Sequence, residues 1–110
     1  MTPIELSLPD GCEVYNYFYR TRDPNYLVQD ILVVRLPSGF VIDVGWFPEH
    51  DVDGGYVILV VDKHDDEQHE IAAASADEVK QYVELLADRY SADTVYLTGS
   101  NEYASTCTAF

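Results

Sequence analysis

Residues 36–46 read Leu36-Pro37-Ser38-Gly39-Phe40-Val41-Ile42-Asp43-Val44-Gly45-Trp46, and they decide the fold. Pro37 suits the second position of a tight turn and Gly39 lets the backbone reverse, so a hairpin is predicted between two strands. Beyond the turn, Phe40, Ile42, Val44 and Trp46 share one face of a strand, with Val41, Asp43 and Gly45 on the other. Working outward, residues 27–36 form the preceding strand and residues 13–20 another, with Tyr15, Tyr17 and Tyr19 as a stripe on one face. Downstream, Tyr56 to Val61 is almost wholly apolar. A strand apolar on both faces is expected at the centre of a sheet, covered on each side by other elements or by a partner. A short strand follows near Glu70 to Ala73.

One helix stands out. Ser75-Ala76-Asp77-Glu78 is a capping box, and Val79, Tyr82, Val83, Leu86 and Tyr90 recur at helical spacing as a single buried stripe. Asp77 and Glu78 complement the positive end of its dipole and Arg89 the negative end. Ala92-Asp93 reads as a connection, Thr94 to Thr98 as a closing strand, and Gly99 to Phe110 as a partly ordered tail. Strands in succession followed by one helix predict an α+β fold. It has an antiparallel sheet of about five to six strands with one main helix packed on one face. The 110 residues suit a single domain, 1–110, since a second would be too small to bury its own core.

Twenty Asp and Glu against six Lys and Arg give a formal charge of −14, yet 47% apolar and 13% aromatic residues argue against disorder. No stretch approaches the roughly 18 apolar residues of a membrane span. The opening Met1-Thr2-Pro3-Ile4-Glu5-Leu6 has neither a basic nor an apolar leader region, so a soluble, cytoplasmic protein is expected. Cys12 and Cys107 lie far apart in sequence and in no Cys-x-x-Cys pair, so two reduced thiols are expected rather than a zinc ribbon or redox motif. The charge is uneven. Residues 43–70 carry nine acidic side chains against Lys63 alone, a net −8. Such a field repels phosphate backbones and anionic lipid, so neither nucleic acid nor membrane is an expected partner, and it attracts a basic protein surface.

Three readings follow. The first is a small acidic non-catalytic binding protein that masks a basic partner, as an immunity protein or inhibitor does. Tyr and Trp anchor interfaces most often, so Trp46, Phe47, Glu49, Asp51, Asp53 and Tyr56 are the expected partner-binding residues, on the premise that the carboxylates crowd one patch beside exposed rings. The second is a metal-binding protein or small metal-assisted enzyme. Glu49, His50, Asp51 and Asp53 alternate before Gly54 like the first half of an EF-hand loop, although Val60 stands where the bidentate Glu should be. The third is a structural homo-oligomeric subunit that pairs its apolar strand with a second copy. Other chemistry has little support. His64 and His69 could meet only in a curved loop, Ser100 has no identifiable base, Cys107 is too near the end of the chain for fixed geometry, and phosphate-binding and nucleophile-elbow motifs are absent. Asp43 with Glu49 is a weak carboxylate dyad; Asp43 on a solvent-facing sheet edge is the simpler expectation. No cofactor is expected, and enzymatic activity is not favoured.

Overall fold

The computed structural model describes residues 2–64 and 66–91. Five strands, β1 (Glu13–Asn16), β2 (Leu32–Arg35), β3 (Val41–Phe47), β4 (Gly55–Val61) and β5 (Glu67–Ala73), form one sheet in the order β1-β2-β3-β4-β5. Every neighbouring pair is antiparallel. One helix, α1 (Ala76–Ser91), follows the last strand and packs against β3, β4 and β5. The expected α+β architecture is thus present with five strands. The sixth, at Thr94 to Thr98, lies outside the described residues, as do the tail, Ser100 and Cys107. No helix among the described residues is long and apolar enough to cross a membrane.

The alternation along β3 sorts the two faces. Ile42, Val44 and Trp46 point to the helix side with Leu32, Val34, Ile58 and Val60, and all are essentially sealed from solvent. Against them α1 lays Val79, Val83, Leu86, Ala87 and Tyr90. Tyr82, expected in that stripe, sits at its margin and is 38% exposed, and Ala87 takes the inner position. The helix start is built largely as its sequence requires. The Glu78 amide donates to Ser75 Oγ at 3.2 Å, while Glu78 Oε1 accepts from the Ala74 amide at 2.8 Å, one residue before the cap.

Two strands are shorter than expected, for identifiable reasons. Asn16 Oδ1 accepts from the Phe18 amide and Asn16 Nδ2 donates to the Ile4 carbonyl, which ends β1 and turns Phe18 into the core. The stretch before β2 is diverted. The Trp46 amide donates to Val28 O and the Ile31 amide to Val44 O, so Gln29 and Asp30 between them are pushed out over β3. Gly45 permits this, because a Cβ there would overlap the Gln29 carbonyl. Strand β5 in turn begins earlier than expected, across a bulge opposite Val60 and Val61.

Gly45→Ala is therefore expected to lose about 1–3 kcal/mol by forcing the 28–31 segment off the sheet. Gly55→Ala, where the nearest atom to a new Cβ is Ala73 O at 4.0 Å, should shift stability by less than about 1 kcal/mol. Urea unfolding midpoints of the two variants check this.

Candidate functional site

The acidic loop between β3 and β4 is a folded plug rather than an open claw. Its peptide Phe47–Pro48 is cis, and His50 holds a left-handed φ of 64°. That conformation is fixed by two contacts to the neighbouring turn: the His50 amide donates to Leu27 O and His50 Nδ1 donates to Pro24 O, both at 2.7 Å. The carboxylates turn onto backbone as well. Glu49 Oε2 accepts from the Gln29 amide at 2.8 Å and Asp51 Oδ1 from the Asp53 amide at 2.9 Å. Trp46 Nε1 donates to Asp51 O, and Arg22 closes the plug by donating to Val52 O while its guanidinium lies 5.5 Å from the indole centroid.

This corrects two expectations. Trp46 is 1% and Tyr56 6% exposed, so neither ring is available to a partner. They pack against each other edge to face at 4.8 Å, and burial pushes the Tyr56 phenol up from its ordinary range, partly offset by Arg22 and Arg20. Phe47, one residue on, is 41% exposed, and Glu49, Asp51 and Asp53 stay at the surface. Glu49, His50, Asp51 and Asp53 do not converge as metal ligands. No group of three His, Cys, Asp or Glu side chains among the described residues is arranged to hold a cation, and Glu49, His50 and Asp51 each already engage a backbone group.

The premise of a single acidic patch also fails. The two acidic loops cap opposite ends of the seven-residue strand β4, about 20 Å apart at a strand's usual rise. In the second loop Asp62 is the organiser. It accepts from the amides of Asp66 and His64 and from Gln68 Nε2, which holds its carboxyl below the usual range, the Asp66 amide contributing most. His64 lies in this turn, whereas His69 is on β5 against the Tyr90 ring, so the two imidazoles do not form a pair.

What remains as a candidate site is the face of the sheet that α1 leaves open. Register places Tyr15, Val33, Asp43, Leu59 and Glu70 in one row across all five strands, and Glu13, Arg35, Val41, Val61 and Glu67 in the next. Val33, Val41, Val57, Leu59 and Val61 are half-buried there, with no described element covering them. Among the described residues, β4 is covered on the helix side alone. A depression of about 540 Å³ is lined by Tyr15, Asp30, Val33, Arg35, Val41, Asp43 and Val61. A smaller one of about 160 Å³ adjoins it and shares Asp30 and Asp43.

Asp43 lies at the middle of this face on the central strand, not on an edge. Burial pushes its carboxyl above the ordinary value, the Asp30 charge adds to that, and Arg35 opposes both. Its carboxylate neighbour is therefore Asp30, delivered by the diverted 28–31 segment, while Glu49 is engaged by the Gln29 amide. Along the margin of the face runs a ladder of tyrosines. Tyr15 and Tyr17 have ring centroids 4.8 Å apart, Tyr17 and Tyr19 6.5 Å, and Tyr19 and Tyr26 5.3 Å. Compared with known proteins, the chain matches no family model, no curated protein and no solved structure.

The sign of the Asp43 effect on stability follows from linkage. A carboxyl whose folded pKa is raised binds its proton more tightly in the folded state, so stability falls as pH rises from the ordinary value through the raised one. At neutral pH the whole penalty is in force. Asp43→Asn should raise neutral-pH stability by up to about 1 kcal/mol, a gain limited by solvent screening of a half-exposed group. The gain should disappear well below the ordinary carboxyl pKa of about 4, which paired thermal melts at the two pH values measure.

Proposed function

We propose that this protein is a non-catalytic binding module that docks a basic protein partner on the open face of its sheet, in the manner of an inhibitor that masks a cationic surface. The observation that carries this reading is the composition of that face. Half-buried Val33, Val57 and Leu59 surround Asp43, which is disfavoured as an anion where it stands. A partner that brings apolar contact and a cation relieves both conditions at once. Glu13, Glu67 and Glu70 lie along the outer strands of the same face, and the charge of −14 steers cationic partners toward the molecule. A second copy fits this face less well, because it sets Asp30 and Asp43 against the same pair.

Immobilised protein should retain a basic partner from source-cell extract, with an association rate that drops steeply as salt rises. Leu59→Arg should weaken that association at least about tenfold. Leu85→Arg, on the outer side of α1 where Leu85 is 59% exposed, should leave it unchanged. Salt-independent association, or equal retention by Leu59→Arg, would contradict the reading.

A further inference from the structure

We propose that the start of α1 holds a binding site for a small phosphate, free or as a monoester, clamped by Arg20, Arg22 and the Tyr56 hydroxyl. The site is separate from the docking face and does not depend on it.

The chain has only six Lys and Arg against twenty Asp and Glu, yet two of those six converge here. Arg20, Thr21, Arg22, Tyr56, Ser75 and Ala76 line a depression of about 370 Å³, and no described carboxylate lines it. Three parts of the chain supply these groups: the segment after β1, the beginning of β4 and the start of α1. Every polar side chain in the lining can donate a hydrogen bond, two as guanidiniums and three as hydroxyls. Such a lining suits an anion.

The Tyr56 hydroxyl is an independent mark of a ligand. The residue is 6% exposed, and its ring packs edge to face against Trp46 and Phe18. A phenol so deeply buried ordinarily finds a hydrogen-bond partner, yet no described group bonds to this one. The hydroxyl instead borders the depression, within the field of Arg22 and Arg20.

Both arginines are held in place by contacts that leave donors over. Arg22 gives one N–H to Val52 O at 2.7 Å, and Arg20 pairs with Asp77 Oδ1 at 2.7 Å in the open. Each guanidinium carries five N–H groups, so most remain for a ligand. Ser75 Oγ accepts from the Glu78 amide and keeps its own proton to give. The Ala76 amide, first in the helix, has no intrahelical acceptor, and the positive end of a sixteen-residue helix adds to the attraction. Charge and geometry select phosphate among anions. Two guanidiniums match a dianion, and donors from three chain segments suit a tetrahedral group with acceptors on all sides. A carboxylate is planar and singly charged, and one guanidinium satisfies it. Asp77 competes for Arg20, and the charge of −14 opposes any anion, so the affinity is modest.

Amide NMR on the full chain tests this, with sodium phosphate titrated against chloride at fixed pH and ionic strength. The Ser75 and Ala76 signals should shift saturably, with a Kd below about 10 mM. Tyr56→Phe keeps the ring and removes only the hydroxyl, so it should fold as before and bind at least about fivefold more weakly. Arg20→Gln should weaken binding about tenfold. Arg89→Gln, the same loss of charge in the last turn of α1, should stay within about twofold of the parent. Asp77→Asn, which releases Arg20, should tighten binding about threefold. Glycerol phosphate binding at least as tightly as inorganic phosphate would support the site and assign it a monoester; its exclusion would support the site and assign it the free ion. The absence of a saturable shift, equal shifts with acetate, or an unaltered Kd in Tyr56→Phe would overturn the proposal. Equal weakening by Arg20→Gln and Arg89→Gln would overturn it too, since the effect would then be one of net charge.

Discussion

Among the described residues, one helix of sixteen residues has one five-stranded sheet to cover, and it can cover only one side. With strands about 4.8 Å apart and a helix about 10 Å across, α1 does not span even its own face unaided. The rest is filled from the chain ends and loops: Ile4 and Phe18 beside β1, Trp46 and Tyr56 at one end, Phe40 against Tyr90 at the other. The N-terminal segment is tied to the helix by Glu84, which accepts from the Ser7 amide and from Lys80 Nζ, and the Lys80 bond leads in holding its carboxyl below the usual range. Among the described residues the far side of the sheet has no such cover, and its apolar residues stay half-buried.

That constraint gives the unusual features of the far side a common reading. Gly45 lets the 28–31 segment cross close over β3, and the crossing brings Asp30 toward Asp43. Asp43, half-buried among valine and leucine with the Asp30 charge nearby, is disfavoured as an anion there. Sites that work against folding are where function is expected to reside. The acidic loops, by contrast, support folding. Their carboxylates accept from backbone amides and hold the turns in shape.

Much of the fold was legible in the residues themselves. The Pro37–Gly39 turn, the alternation through β3 and the Ser75–Glu78 box are local signals whose physics does not depend on the rest of the chain. The same alternation that placed Ile42 and Val44 inside already placed Trp46 inside. Treating Trp46 as an anchor of the acidic loop set a composition argument above a periodicity argument. The separation of the two acidic loops was likewise implicit in an intervening strand of seven residues. The diversion at Gln29 and Asp30 was not legible, because it depends on hydrogen bonds to Val44 and Trp46 and on missing side-chain volume at Gly45, all remote in sequence. The Asp30–Asp43 pair was hidden for the same reason. The tyrosine stripe was visible at Tyr15, Tyr17 and Tyr19, but its extension to Tyr26 needed the turn at Pro24–Tyr26.

Methyl NMR with a soluble paramagnetic probe measures the openness of the second face directly. The methyl groups of Val33, Val57 and Leu59 should relax strongly as the probe is added, while those of Val34, Ile58 and Val60, one residue away and on the helix side, should be protected. Equal protection of both sets would mean that the face is covered in solution and would contradict the account.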